Sequence, residues 1–293
     1  MKPKYRTKNG EAFNASIEDF IKSSKYQDLL GKVDLILTSP PYPLVSPKAY
    51  GNKVGEDYKT WLAAIMKDLK LLLKPKGSMV IEIGNAWDKG SPTMSTLPLE
   101  TLIQIKNESE LQVCQQFIWN NPNKLPGPAT WVNIKRLRVK DAYTHIWWFS
   151  NTSDPKADNT KVLTPYKDGM KKLLEKQDYN RGTRPSGHSI GDGFLKENRG
   201  SIPSNVLTFP NSLESKQYRE WCKEHGVPQH PARMPEKLAE FFIKFLTSRN
   251  SLVLDPFGGS NTTGKVAQDL GRRWISVERD EKYVIGSKGR FRG

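Results

Sequence analysis

The residues best suited to chemistry form a short run, Ser39-Pro40-Pro41-Tyr42, directly after the apolar or β-favouring stretch 35–38. This stretch is short, apolar and sharply terminated, which predicts a buried strand. The prolines stiffen the chain beyond it, because they fix φ and cannot continue a sheet ladder. A planar heterocycle could stack on Tyr42 while its exocyclic amino group donates hydrogen bonds to the Ser39 hydroxyl and the Pro40 carbonyl. An ordinary loop that happens to contain these four residues is the alternative.

A second polar residue, Glu82, lies near the end of a strand predicted over 78–83. Its neighbours are apolar, and a buried carboxylate is costly unless it is paired. Glu82 is therefore either hydrogen-bonded for a structural reason or placed to meet a substrate. The sequence leaves both interpretations open.

Far along the chain, a strand predicted over 251–254 leads into a glycine-rich turn, Asp255-Pro256-Phe257-Gly258-Gly259-Ser260. A helix and a strand over 273–277 follow, and Glu278 stands about 20 residues after the glycines. This order is typical of dinucleotide-type sites, where glycines let the backbone approach a ligand and the acid accepts hydrogen bonds from ribose hydroxyls. Gly259 to Lys265 also matches the start of a phosphate-binding P-loop. Val266 stands where that loop requires a magnesium-binding Ser or Thr, which argues against nucleotide hydrolysis.

The elements that must position these motifs follow an α/β pattern. Strands are predicted over 33–37, 78–83, 114–120, 143–150, 251–254 and 273–277, and helices over 57–73, 97–111 and 235–247. Residues 11–30 predict a short strand and an amphipathic helix. Strands that alternate with helices indicate a parallel sheet with helices on both faces. Ligands bind such sheets at the carboxyl ends of the strands, where both motifs stand.

The composition points to a polyanionic partner. The 293 residues include 46 Lys and Arg against 31 Asp and Glu, which gives a formal net charge of +15. Such a balance favours nucleic acid as the partner, with a merely basic protein as the alternative. Lys135, Arg136 and Arg138 crowd one short segment, and residues 151–229 are polar, basic and rich in Gly and Pro, which predicts a second, smaller domain or insertion. Cations there suit phosphate contacts, and the candidates are Lys161, Lys167, Arg181 and Arg184.

Other classes of protein are disfavoured. Two cysteines, Cys114 and Cys222, cannot build a disulfide framework, which fits a reducing cytoplasm. The spacing of Cys222, His225 and His230 lacks a fourth zinc ligand, so we expect no metal. There is no apolar run of transmembrane length and no signal-peptide pattern, so we expect no membrane association.

Together, Ser-Pro-Pro-Tyr after one strand and Asp-Pro-Phe-Gly-Gly-Ser after another resemble the amino-methyltransferases that use S-adenosylmethionine. The base motif precedes the cofactor motif with a basic insertion between them, as in the β arrangement of that family. Further segments resemble the PvuII-type DNA cytosine-N4 methyltransferases: 124–128, 138–142, 146–150, 160–163, 183–188, 200–203, 230–233 and 257–264. The resemblance implies a Rossmann-like S-adenosylmethionine-dependent methyltransferase sheet of circularly permuted motif order, with a smaller inserted DNA-recognition region.

That resemblance also implies a role for each part of the chain. Residues 1–150 would hold the target base, 151–229 would recognise DNA, and 230–293 would bind the cofactor. Ser39, Pro40, Pro41 and Tyr42 would hold the base, with Glu82 assisting its amine or ring nitrogen. Implied cofactor contacts are Asp255, Phe257, Gly258, Gly259, Ser260, Glu278, Arg233 and Asn14, and His188 joins the candidate DNA contacts. Three positions depart from the relatives: Tyr42 replaces a Phe, Glu82 replaces an Asp, and Asn14 stands where an Asp often lies near the adenine.

The implied activity is methyl transfer from S-adenosylmethionine to the N4 amine of cytosine in double-stranded DNA, which protects that DNA against a partner restriction nuclease. The base would be flipped out of the duplex, and no cysteine nucleophile is needed because no covalent ring adduct forms. CAGCTG is the leading recognition site, and we expect a cytoplasmic monomer. Adenine-N6 methylation, an RNA substrate and a catalytically silent DNA-binding protein of the same fold are the alternatives. Ser39 favours cytosine, since Asp or Asn there would favour adenine.

Overall fold

The computed structural model describes residues 1–42, 53–177, 182–183, 185–187, 189–190, 195–211 and 216–292. It divides into two compact units, one formed by residues 1–157 with 205–293 and the other by residues 158–204. The strands are β1 (Tyr5–Arg6), β2 (Gly10–Asn14), β3 (Val33–Thr38), β4 (Leu73–Gly84), β5 (Ala86–Trp87), β6 (Met94–Ser95), β7 (Gln112–Asn120), β8 (Tyr143–Ser150), β9 (Gly182–Thr183), β10 (Ser189–Ile190), β11 (Val206–Thr208), β12 (Leu252–Asp255) and β13 (Arg273–Glu278). The α-helices are α1 (Ile17–Ile21), α2 (Ser24–Leu29), α3 (Gly55–Lys70), α4 (Leu97–Ser109), α5 (Asp168–Lys176), α6 (Lys216–Glu224), α7 (Glu236–Leu246), α8 (Thr262–Asp269) and α9 (Glu281–Ser287).

In the described part of the first unit, nine strands form one sheet in the order β1-β2-β13-β12-β3-β4-β8-β7-β11. The strands from β2 through β13, β12 and β3 to β4 run parallel. The predicted parallel sheet is confirmed for these strands, and β8 departs from it by pairing antiparallel with both β4 and β7. The apolar texture of a strand does not encode its direction. Here β7 and β8 are consecutive in the chain and lie side by side, so β8 runs back along β7.

Burial on both faces explains the apolar composition of the central strands. All six residues of β3 are buried. Leu35 and Leu37 pack into a hydrophobic cluster that includes residues of α7 and α8, and Ile36 packs into a second cluster that includes residues of α3 and α4. Successive side chains of a strand point to opposite faces, so this alternation places helices on both sides of the sheet.

Two predicted helices differ from the structure. The helix predicted over 57–73 ends at Lys70, because Leu73 already pairs with Val33 as the first residue of β4. The single helix predicted within 11–30 is two short helices. Each has its own serine N-cap: Ser16 accepts a hydrogen bond from the Asp19 amide at 3.1 Å, and Ser23 accepts one from the Tyr26 amide at 3.3 Å.

The second unit is shorter than the insertion predicted over 151–229. β11 pairs parallel with β7 in the main sheet, and α6 is tied to α9 by a 2.7 Å hydrogen bond from Trp221 Nε1 to the Ile285 carbonyl. These residues therefore fold with the first unit. Within the second unit, Thr164 and Ser201 exchange two backbone hydrogen bonds of 2.9 and 2.8 Å. None of the helices in the described ranges combines the length and apolar character needed to cross a membrane.

Candidate active site

The two sequence motifs meet because the strands that carry them are neighbours. β3 and β12 pair in parallel, with Leu254 opposite Ile36, so the turns that follow them leave the sheet side by side. The Thr38 hydroxyl donates to Asp255 Oδ1 at 2.8 Å and links the two strand ends directly. β13 lies on the other side of β12 and places Glu278 at the same edge. Both turns open onto one cavity of about 630 Å³, called the larger cavity below.

The larger cavity collects most of the implied cofactor residues. Those that line it are Arg233, Asp255, Phe257, Gly258, Gly259, Ser260 and Glu278. Asn14 is the exception, because its side-chain amide donates to the carbonyls of Glu278 and Arg279 at 3.1 and 3.0 Å. The residues just after it, 15–18, line the cavity instead. Asn14 therefore holds the end of β13 in place and does not face the cavity.

Buried acids dominate the electrostatics of the larger cavity. Asp255 accepts hydrogen bonds from the Thr38 hydroxyl and from the Phe257 amide at 3.2 Å, and burial raises its pKa to about 6. Glu278 accepts one hydrogen bond from the Gly259 amide and one from the Asp280 amide, each 2.8 Å long. Burial also raises the pKa of Glu278, against these two hydrogen bonds. A cationic ligand would stabilise the ionised form of both acids.

The glycine-rich turn is shaped by close contacts that exclude side chains. A Cβ atom on Gly258 would lie 1.9 Å from Ser276 Oγ, and one on Gly259 would lie 3.1 Å from the His230 ring. Gly259 also has a φ of +50°, which side chains rarely adopt. Arg290, itself buried, donates to the Ser260 carbonyl at 2.7 Å and fixes the end of the turn.

A smaller cavity of about 230 Å³ adjoins the larger one. It is lined by Ser39, Tyr42, Glu82, Trp119, Asn121, Lys124, Ala142, Tyr143, Thr144, Asn211 and residues 231–234. Ser39, Tyr42 and residues 231–234 line both cavities, so the two form one continuous site. The Tyr58 hydroxyl donates to the Pro41 carbonyl at 2.6 Å and holds the Ser-Pro-Pro-Tyr turn against α3.

Glu82 is buried and hydrogen-bonded, and it also lines the smaller cavity. Its side chain is 2% exposed and accepts hydrogen bonds from the Tyr42 hydroxyl and from the Ser39 side chain. Burial raises its pKa, while these hydrogen bonds, the nearby Thr144 hydroxyl and the charge of Lys124 oppose the rise. The two interpretations left open by the sequence therefore apply together, since a structurally paired carboxyl lines the cavity.

The candidate DNA contacts are divided between the two units. In the first unit, Lys135 and Arg136 are exposed, and Arg138 stacks over Trp87 with its guanidinium carbon 3.2 Å from the ring centroid. In the second unit, Lys161 lies in the turn Asn159–Val162 and Lys167 is the N-cap of α5. Arg181, Arg184 and His188 lie outside the described residues. The DNA contacts remain predictions.

Several lining residues escaped the sequence analysis. Trp61, which lies in the helix predicted over 57–73, lines the larger cavity, where its Nε1 donates to Glu18 at 2.7 Å and its ring contacts Phe257. Lys124 and Thr144 border Glu82, and nothing in the sequence around Lys124 marks it as a site residue. A polar residue inside the apolar strand β8, as Thr144 is, was the available signal.

The described ranges contain no group of three or more His, Cys, Asp or Glu that could hold a metal ion. Cys222 is buried, His225 stacks on Trp221, and His230 lines the larger cavity. Cys114 and Cys222 form no disulfide with each other, and neither lines a cavity described above.

Comparison with known proteins agrees with this geometry. Residues 33–288 match the family model for N6 and N4 methyltransferases, described as DNA methylase. The type II methyltransferase M.PvuII of Proteus hauseri is 46% identical over 292 residues, which covers 99% of this chain and 86% of that protein. M.BglII of Bacillus subtilis is 27% identical over 254 residues, covering 86% of this chain and 61% of that protein.

Solved structures extend the comparison. The structure described as PvuII DNA methyltransferase (cytosine-N4-specific) has a TM-score of 0.80 at 38% identity, covering 100% of this chain and 89% of that one. M1.HpyAVI in complex with S-adenosylmethionine has a TM-score of 0.58 at 21% identity, covering 97% of this chain and 100% of that one, and shows the shared fold alone. The chain belongs to the N6/N4 DNA methylase family.

Proposed function

We propose that this protein transfers a methyl group from S-adenosylmethionine to the N4 amine of cytosine in duplex DNA, as the modification enzyme of a type II restriction-modification system. One observation carries the proposal. Ser39 and Tyr42 line the smaller cavity, and they also line the larger cavity, whose wall includes the glycine-rich turn. The similarity to M.PvuII, together with the cytosine-N4-specific description of the matching structure, supports cytosine N4 as the target atom.

The larger cavity fits S-adenosylmethionine by size and by chemistry. Its volume of about 630 Å³ lies in the range of small-molecule sites. When bound, this cofactor supplies an electrophilic methyl group on a cationic sulfonium. Glu278 would hold the ribose hydroxyls, Asp255 the ammonium group and Arg233 the carboxylate. Gly258 and Gly259 let this turn pack against Ser276 and His230 without a clash, which keeps the backbone of the turn along the cavity wall.

The smaller cavity supplies the groups that a target cytosine needs. Its exocyclic amine is a poor nucleophile, because the lone pair is delocalised into the ring. Ser39 and the Pro40 carbonyl would accept the two amine hydrogens and thereby localise that lone pair on nitrogen. Tyr42 would stack on the ring. We expect the rate enhancement to come mainly from holding the amine nitrogen in line with a cofactor bound in the larger cavity.

A proton must leave the amine as its new bond to carbon forms, and Glu82 is placed to receive it. The carboxyl is hydrogen-bonded to Ser39, which contacts the amine in this arrangement. Burial raises the pKa of Glu82 and so makes its ionised form a stronger base. We assign Glu82 the role of proton acceptor.

The test is methyl transfer from labelled S-adenosylmethionine to duplex DNA, followed by hydrolysis and identification of the methylated nucleoside. The expected product is N4-methylcytosine in duplexes that contain CAGCTG, and none in a scrambled duplex. Finding only N6-methyladenine would exclude the cytosine assignment. DNA binding without any transfer would favour the silent DNA-binding protein. Faster transfer to RNA than to DNA would make RNA the preferred substrate. The two polymers must be compared at the same salt concentration, because salt controls the affinity of a basic protein for either polymer.

The remaining assignments concern the whole protein. We propose that it acts as a cytoplasmic monomer, that residues 151–229 take part in DNA recognition, and that the cognate nuclease is a functional partner without stable contact. Two cysteines that form no disulfide with each other support a reducing compartment. Sedimentation of the protein alone and with a cognate duplex would test the monomer, since a dimer in both states contradicts it.

A further inference from the structure

One surface segment combines exposed apolar side chains with positive charge. Residues 124–140, called the rim segment here, connect β7 to β8. Both of its flanks border the smaller cavity, through Asn121 and Lys124 on one side and through residues 142–144 on the other. A base held in the smaller cavity therefore has this segment beside it.

Apolar exposure is unusually dense along the rim segment. Leu125 is 83% exposed, Ile134 73%, Leu137 63% and Val139 87%. Large apolar side chains left in water within so short a stretch mark an interaction surface rather than a folding core. We therefore expect a partner molecule to cover these side chains.

The charge of the segment selects the class of that partner. Residues 111–140 contain no Asp or Glu, while the rim segment contains Lys124, Lys135, Arg136, Arg138 and Lys140. Such a cationic surface complements the phosphate backbone of DNA. Because the segment adjoins the cavity assigned to the target base, duplex DNA is the occupant we commit to.

Contacts with residues outside the rim segment hold it in place at both ends. Lys124 Nζ pairs with Asp141 Oδ2 at 2.9 Å, and Asn85 Nδ2 donates to Asp141 Oδ1 at 2.8 Å. Farther along, Arg138 stacks on Trp87. Leu125 follows the anchored Lys124, which lines the smaller cavity, and its own side chain is exposed to solvent.

We propose that Leu125 enters the DNA stack at the position that the flipped cytosine leaves, while Lys135 and Arg136 bind neighbouring phosphates. Apolar side chains that insert between base steps are an established way to offset unstacking. The inference rests on the proposed function, because it requires that a base leaves the duplex for the smaller cavity. It adds a residue that stabilises the flipped state without touching the base or the cofactor.

The test compares Leu125→Ala with wild type on two duplexes. In one the target cytosine is paired with guanine, and in the other it faces an abasic position, where flipping costs less. Single-turnover methyl transfer should fall about tenfold on the paired duplex, equal to about 1.4 kcal/mol. On the abasic duplex it should return to within about twofold of wild type, because the lost side chain matters only when flipping is costly. The affinity for S-adenosylmethionine should not change.

Leu71→Ala is the matched control, since Leu71 is 57% exposed and lies at the end of α3, away from both cavities. It should behave as wild type on both duplexes. An equal loss by Leu125→Ala on both duplexes would overturn the proposal, as would no loss on either. The latter result would assign the exposed apolar residues to another partner, such as an acidic protein or a second copy of this chain. Failure of the wild-type protein to methylate any DNA would instead refute the proposed function.

Discussion

Ser39 is the residue whose loss should separate chemistry from binding. Its hydroxyl is hydrogen-bonded to Glu82 and lines both cavities. Ser39→Ala should keep the affinity for DNA and for S-adenosylmethionine but lower the rate of single-turnover methyl transfer on the order of 10²-fold, the usual effect of removing one group that acts on a reacting proton. Ser24→Ala, at an exposed serine of α2, serves as the control. A Ser39→Ala protein with the wild-type rate would remove Ser39 from the mechanism.

Asp255 predicts how cofactor binding depends on pH. Its folded-state pKa of about 6 lies above the ordinary value of 3.8, so the folded protein holds this proton more tightly than the unfolded chain does. The contribution of Asp255 to the free energy of unfolding of the ligand-free protein therefore falls as pH rises from about 4 to about 6, and is level above that. A ligand ammonium group favours the ionised form. Affinity for S-adenosylmethionine should then weaken below about pH 6, by at most about tenfold per pH unit.

Calorimetric titration between about pH 5 and about pH 8 measures this dependence. Glu278 and His230 also line the larger cavity and have shifted pKa values, so the assignment needs a variant. The Asp255→Asn variant should lose the pH dependence of S-adenosylmethionine affinity below about pH 6, and it should bind S-adenosylmethionine more weakly at neutral pH. If the affinity of this variant still depended on pH in that range, the titrating group would be Glu278 or His230.

At the scale of elements, the end of β4 controls the position of Tyr42. A Cβ atom on Gly84 would lie 2.6 Å from Tyr42 Cε2, too close for the ring to stay where it is. Gly84→Ala should therefore lower kcat/KM for DNA, roughly tenfold, and leave the affinity for S-adenosylmethionine unchanged, because the displaced ring is the group that would stack on the base. The measurement is steady-state methyl transfer together with cofactor titration.

A double-mutant cycle identifies the cause of that loss. If Gly84→Ala acts through the ring, then adding it to Tyr42→Ala should cost little more than Tyr42→Ala alone. Additive losses would show that Gly84 matters for another reason, for example the pairing of β4 with β8, where Gly84 stands opposite Thr144.

Across the whole molecule, a net charge of +15 predicts strongly salt-dependent DNA binding. The logarithm of the DNA affinity should fall linearly with the logarithm of salt concentration, with a slope near −0.9 per phosphate contacted. Lys161→Ala and Lys167→Ala should each reduce the steepness of that slope by about one if the residue contacts a phosphate. Lys67→Ala, an exposed lysine on α3, is the control. Fluorescence anisotropy over a salt series measures the DNA affinity of the wild type and the three variants. An unchanged slope in Lys161→Ala or Lys167→Ala would exclude that lysine as a phosphate contact.

The sequence by itself determined the local features: buried strands, the stiff Ser-Pro-Pro-Tyr turn, the glycine-rich turn, and the acids at strand ends. These depend on residue type and short spacing, because Pro, Gly and apolar runs restrict the backbone where they stand. It also determined the family, since the two motifs and their order are specific. The direction of β8 and the early start of β4 at Leu73 could not be predicted from the sequence, because the residue pattern of a strand specifies neither its direction nor its register.

Only the tertiary structure decided which side chains meet. The hydrogen bond from Thr38 to Asp255 joins residues 217 positions apart, and it exists because β3 and β12 pair at the centre of the sheet. Long-range pairing likewise turned Asn14 toward the end of β13, brought Lys124 and Thr144 to Glu82, and so placed Leu125 next to a residue that lines the smaller cavity. Strand order follows from how the whole core packs, and that packing is a property of all the elements together rather than of any one stretch.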